Sequence, residues 1–139
     1  MIVLDASALL AALDESEPAH SLVLGVLENE QPPLLLSPVI LTELDYFLLR
    51  NLGLTHELAF LQEVVDGTYD LVPFGADDVA RASVVIERFA DLCVGLADAS
   101  IVILAERYGT NRVLSLDERH FRALRTLDGR PFTLLPADV

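Results

Sequence analysis

The chain contains no lysine and a single cysteine, Cys93. One cysteine cannot close an internal disulfide, which suits a reducing cytoplasm, and Cys93 is expected as a small buried hydrophobe rather than a nucleophile. No apolar run reaches the roughly 18 residues that a membrane span requires. The N-terminus lacks the basic segment and small-residue cleavage site of a secretory leader. Positive charge is scarce: nine basic residues stand against 22 acidic ones, for a net charge of −13. Such a surface disfavours sweeping, nonspecific contact with nucleic acid. There is no Cys/His spacing of a zinc site, no phosphate-binding Walker loop, no dinucleotide-binding glycine fingerprint and no Gly-x-Ser-x-Gly elbow.

Every base is therefore an arginine, and six of the nine lie between Arg107 and Arg130. That stretch holds only Asp117, Glu118 and Asp128 as acids, so it forms a basic corner on an acidic protein. Either this corner meets a polyanion selectively, or its arginines pair with surface acids or an acidic partner.

At 139 residues and 53% hydrophobic, the chain has the length of one domain, residues 1–139, with material for a real core. Short continuous apolar runs at 2–4, 34–36, 69–72, 112–116 and 132–135 read as buried strands. Between them lie helical segments at 6–13, 38–52, 76–89 and 97–108, and a shorter one through 125. Two more helices are expected, one capped by Ser16 with Pro18 in its first turn and one capped by Thr55. Ser37 before Pro38 marks a helix start, and Gly53 and Gly109 mark helix stops. Strands alternating with helices, each strand apolar throughout, indicate an α/β fold with a parallel sheet covered on both faces. The helix carrying Leu41, Leu44, Phe47, Leu48 and Leu49 is apolar around most of its girth, which leaves a surplus face for a dimer or partner.

Four acids fall where such a fold gathers chemistry. Asp5 and Asp117 follow strands, and a carboxylate at the end of a parallel strand points into the crevice where α/β folds bind ligands. Glu43 shares a helix face with Val39, Ile40, Tyr46 and Phe47, so it is expected beside apolar neighbours, balanced by Arg50 or by a cation. Asp45, two residues on, faces elsewhere. Asp98 sits in the first turn of its helix, at the rim of the core formed by Ile101, Val102 and Ala105. Each acid has a plain structural role open to it: Asp5 and Asp117 as helix N-caps, Asp98 as a complement to the helix dipole. Gathered together they would repel one another, and carboxylates with water suit Mg²⁺ or Mn²⁺ rather than zinc. Ser7, at a helix start, is open either to holding an anion such as a phosphate or to simple capping, and Ser115 projects to the same side of its strand as Asp117. His120 is read as a surface histidine, with an acid–base role or an RNA or partner contact as the alternative.

The motifs Ile2-Val3-Leu4-Asp5-Ala6-Ser7, Leu41-Thr42-Glu43-Leu44, Gly95-Leu96-Ala97-Asp98-Ala99-Ser100 and Leu114-Ser115-Leu116-Asp117-Glu118-Arg119 together resemble PIN-domain ribonucleases, in order and across the chain. The size resembles the VapC toxins of toxin–antitoxin pairs. The resemblance implies a three-layer fold with a five-stranded parallel sheet. It implies a Mg²⁺- or Mn²⁺-dependent endoribonuclease with Asp5, Glu43, Asp98 and Asp117 as its acidic quartet and Ser7 and Ser115 as supporting polar positions. It also implies a homodimer, a small VapB-like antitoxin, and structured tRNA or rRNA loops as substrate. Arg119, Arg122 and Arg125 are the expected phosphate or antitoxin contacts. Three other readings stay open: a PIN nuclease of RNA processing, a non-catalytic PIN-fold binding domain, and a haloacid-dehalogenase-type phosphotransferase. The last needs an aspartate where this chain has Ser7. A neighbouring gene for a short antitoxin-like protein would separate toxin from processing nuclease.

Overall fold

The computed structural model describes residues 1–139. Five short strands, β1 (Ile2–Leu4), β2 (Leu34–Leu36), β3 (Asp70–Leu71), β4 (Arg112–Leu114) and β5 (Thr133–Leu135), form one sheet in the order β3-β2-β1-β4-β5. Every neighbouring pair is parallel, with Val3 opposite both Leu35 and Val113. β1 is central and wholly buried, as its unbroken Ile-Val-Leu run requires. The strand order reverses direction between β1 and β4, so a crevice opens beyond their C-terminal ends. Pairing continues past both ends: the Asp5 amide donates to the Leu114 carbonyl and the Ser115 amide to the Leu135 carbonyl, each at 3.0 Å. Asp5 and Ser115 are thereby fixed side by side.

The helices are α1 (Ala6–Leu13), α2 (His20–Asn29), α3 (Pro38–Asn51), α4 (Leu54–Val65), α5 (Ala76–Arg88), α6 (Leu96–Tyr108) and α7 (Glu118–Ala123). α6 is the most enclosed, with Ala99 through Ala105 all buried between β1, α3 and α5. A single cluster of 33 buried hydrophobic residues runs through the sheet and its helices.

Local signals explain most boundaries. The Ser37 hydroxyl accepts from the Val39 amide at 3.1 Å, with Pro38 beginning α3. Gly53 (φ +92°) and Gly109 (φ +67°) take the left-handed conformations that stop α3 and α6. Two expected caps are corrected. Asp14 captures the amide and hydroxyl of Ser16, at 3.0 and 2.6 Å, so Ser16 closes a turn and α2 starts later, at His20. Thr55 lies inside α4, whose N-cap is Gly53. β3 and β4 are shorter than their apolar runs, although single backbone bonds continue past them, from the Val72 amide to the Leu36 carbonyl and from the Ser115 amide to the Leu135 carbonyl. Cys93 is exposed rather than buried; it sits at φ +53° in the turn between Ala90–Leu92 and α6, outside the core.

Candidate metal centre

Asp5 is the anchor of the crevice. Its Oδ2 accepts the Ser115 hydroxyl at 2.7 Å and the Ser7 hydroxyl at 2.8 Å. The two serines tie the neighbouring loop to this carboxylate as well. Ser7 Oγ accepts from the Leu116 amide at 3.0 Å, and Ser115 Oγ accepts from the Asp117 amide at 2.9 Å. Asp5 is 4% exposed, and burial pushes its pKa upward, against the hydrogen bonds from the two serines and Ala6; the charge of Asp117 adds to the rise.

Asp117 divides its two oxygens. Oδ1 accepts from the His120 amide at 3.1 Å and so caps α7, while Oδ2 faces His120 Nδ1 at 3.1 Å. The capping role read from the sequence is thus met, and the second oxygen faces the crevice. Asp98 projects from the first turn of α6, and its Oδ2 lies 3.0 Å from the same Nδ1. Burial first, then the charges of Asp5 and Asp117, push Asp98 up to about 6 despite the opposing pull of His120. Glu43 is exposed on α3, not enclosed by apolar neighbours, and makes no ion pair with Arg50. It is nevertheless one of the group. Partial desolvation and then the charges of Asp5, Asp98 and Asp117 all raise its pKa. Asp45 turns instead toward Glu57 of α4, whose carboxyl that neighbour raises.

The structure therefore brings Asp5, Glu43, Asp98 and Asp117 into mutual electrostatic range with no arginine among them. It adds His120, read from sequence as a surface group. Donor atoms of Asp98, Asp117 and His120 lie within 4.8 Å of one another. The i, i+3 spacing of Asp117 and His120 was the available signal, since a capping aspartate and the third helical residue share a face. Raised carboxyl pKa values and a buried Nδ1 without an aligned hydrogen bond mark a site short of positive charge. An oxygen-rich donor set with one nitrogen fits a divalent cation such as Mg²⁺ or Mn²⁺.

The basic corner is organised differently. Arg107 pairs with Asp78 and Arg112 with Glu30. Arg130 pairs with Asp128, and Arg122 with both Glu118 and Asp138. Arg125 Nη1 donates to the carbonyls of Arg122, Ala123 and Leu124 at the end of α7. Arg119 alone of the six has a guanidinium with neither an ion pair nor a hydrogen bond to side chain or backbone, and it is exposed. A separate cleft, lined by Gly109, Thr126 and Arg130, lies at the opposite end of α6 from Asp98 and shares no residue with the acids.

An acid-lined crevice at the reversal point of a five-stranded parallel sheet defines an α/β class whose ligand site lies beyond the strand ends. The sequence pattern of the PIN domain matches residues 2–127, and the chain belongs to that family. It is similar to Ribonuclease VapC26 of Mycobacterium tuberculosis, 39% identical over 135 residues, covering 97% of this chain and 100% of that protein. Among solved structures it resembles Mycobacterium tuberculosis VapC20, described as a Sarcin-Ricin loop cleaving toxin. The TM-score is 0.79 at 18% identity, over 84% of this chain and 90% of that one. VapBC2 from Rickettsia felis, solved bound to a DNA fragment from its promoter, aligns at TM-score 0.67 and 14% identity, over 96% and 98% of the two chains. At these identities the two structures establish the fold.

Proposed function

We propose that this chain is a Mg²⁺- or Mn²⁺-dependent endoribonuclease, the toxin of a VapBC-type pair, built as one domain over residues 1–139. The observation that carries the reading is full-length similarity to a VapC ribonuclease combined with four mutually unneutralised carboxylates in one crevice. Asp5, Asp98 and Asp117, with Glu43 at the rim, would hold the cation. A divalent ion held there supplies Lewis acidity toward a phosphoryl oxygen and lowers the pKa of water. The protein's own part is preorganisation. Ser7 and Ser115 hold the Asp5 carboxylate in one orientation. The α7 cap holds Asp117 with one oxygen free for the crevice. Arg119, exposed and two residues beyond Asp117 in the chain, would meet a phosphate of the RNA backbone. In the reaction, water oxygen bonds to phosphorus as the bond from phosphorus to the ribose 3′-oxygen breaks. The products carry a 5′-phosphate and a 3′-hydroxyl, and the ribose 2′-hydroxyl is not needed as nucleophile.

The substrate class is structured RNA, tRNA or rRNA loops, where unstacked bases are accessible. The net charge of −13 supports selective engagement of such loops over general RNA binding. The partners are a VapB-like antitoxin and a second copy of the chain. Tyr46, Leu49, Leu54 and Leu58, each about half exposed or more on the α3–α4 hairpin, support apolar docking of a protein there.

The test is incubation of total cellular RNA with purified, antitoxin-free protein in Mg²⁺, Mn²⁺ or EDTA, beside Asp5→Ala. Discrete 5′-phosphorylated fragments that require metal and vanish in the variant are expected. A folded, metal-loaded protein that cleaves no major RNA would overturn the reading in favour of a PIN-fold binding domain.

A further inference from the structure

The Nδ1 atom of His120 is buried in the acid crevice, 3.0 Å from Asp98 Oδ2 and 3.1 Å from Asp117 Oδ2, yet it makes no aligned hydrogen bond to either. A nitrogen lone pair facing two carboxylate oxygens is repelled, so something positive belongs between the three atoms. A proton on Nδ1 would be divided between the two oxygens, aligned with neither. A shared cation answers it well. For bonds of about 2.1 Å, adjacent ligand atoms of an octahedron lie about 3.0 Å apart, which is the distance of Nδ1 from each of the two carboxylate oxygens. The three atoms fall within 4.8 Å of one another without any rearrangement. The backbone reinforces the placement, since the His120 amide is tied to Asp117 Oδ1 at 3.1 Å and fixes where the ring leaves α7.

We infer that His120 is a ligand, through Nδ1, to the cation that Asp98 and Asp117 hold, and that this nitrogen shifts the site's preference from Mg²⁺ toward Mn²⁺. The inference rests on the metal-dependent reading above and goes beyond its all-carboxylate quartet. Mg²⁺ favours oxygen donors and sheds water reluctantly, whereas Mn²⁺ accepts imidazole more readily. Asp5 contributes to the same crevice but commits its Oδ2 to Ser7 and Ser115.

The experiment loads the full-length, metal-free protein with Mn²⁺ and records electron spin-echo modulation, with calorimetric titration of Mn²⁺ and Mg²⁺ in parallel. Wild type, His120→Ala and His120→Asn are compared. The expected result is modulation from a directly bound ¹⁴N in wild type that disappears in both variants. With it should come a loss of Mn²⁺ affinity of about tenfold or more and a much smaller change for Mg²⁺. Because the side chain of His120 is not in the core and its backbone bond survives substitution, both variants should fold; far-ultraviolet circular dichroism checks this. Mn²⁺ bound with no nitrogen signal, or equal losses for the two ions, overturns the ligand role and leaves the metal-dependent reading standing. No binding of either ion by wild type overturns both.

Discussion

The crevice and the arginine corner carry opposite charge and opposite bookkeeping. In the corner, Arg107, Arg112, Arg122 and Arg130 each have a carboxylate partner, and Arg125 has backbone carbonyls. In the crevice, Asp5, Glu43, Asp98 and Asp117 have each other, two serines and one histidine. By composition the corner is the anomaly in an acidic chain, and it looks like the functional surface. By geometry it is mostly a set of local ties on the protein's exterior, and such pairs contribute little. Unneutralised charge, not charge as such, distinguishes the two regions.

The sharpest way to break this comparison is to neutralise one member of each. Asp98→Asn should lower RNA cleavage on the order of 10²–10³-fold, measured as initial rate on the identified substrate. The same change should stabilise the metal-free protein at pH 7.5, because it removes a carboxylate that burial and like charges disfavour. Arg122→Ala should do the reverse: activity within about twofold and a urea midpoint only slightly lowered, since exposed ion pairs contribute little. If Asp98→Asn destabilises the metal-free fold, the crevice is a structural network and the contrast collapses.

The pH dependence gives a second contrast. Burial and the neighbouring carboxylates push Asp98 up to about 6 in the folded chain, against about 3.9 when unfolded, and Asp5 and Glu43 are raised as well. A raised acid binds more protons folded than unfolded, so its contribution weakens as pH climbs from about 4 through the folded pKa. The depressed acids, such as Asp138 held down to about 2 by Arg122, are already ionised above pH 5 and contribute no slope there. Metal-free protein should therefore lose stability between pH 5 and 7.5, on the order of 1–2 kcal/mol once solvent screening is allowed for. Millimolar Mg²⁺ or Mn²⁺ should cancel the loss, since ligand binding to the folded state alone adds stability. Thermal melts across pH with and without metal read both effects; a flat metal-free profile would show that the carboxylates are not coupled.

The smallest effect separates arginines within the corner. Arg119→Ala should weaken RNA binding several-fold and reduce the salt dependence of binding by about one unit of slope, as loss of one phosphate contact does. Arg122→Ala should leave that slope unchanged. Titrations at several salt concentrations with cleavage-inactive protein decide this, and equal slopes for the two variants would remove Arg119 from the RNA path.

How far the sequence reached differs by element. Continuous apolar runs and the Ser37-Pro38 and Gly109 signals were enough for the parallel α/β layering, because they record burial and local backbone preference. Ser16 and Thr55 failed as caps because Asp14 and Gly53 compete within the same few residues, and their relative claims depend on the chain's path. The crevice was legible as four acids at strand and helix ends. Its hydrogen bonds were partly so: Ser115 was placed beside Asp117, but its bond to Asp5 joins residues 110 positions apart.

By itself the sequence determined which side chains could do chemistry, since a carboxylate after a buried strand or in a helix's first turn has few places to point. It also determined the fold class, because strands apolar on both faces must lie between layers. The tertiary structure alone decided which charges remain unpaired. Glu43 proved exposed yet within the field of three acids, His120 was turned inward, and the arginines were taken up by Asp78, Glu30, Asp128 and Asp138. Pairing depends on distances between residues far apart in the chain, and Coulomb energy in a partly desolvated crevice changes steeply over a few ångströms.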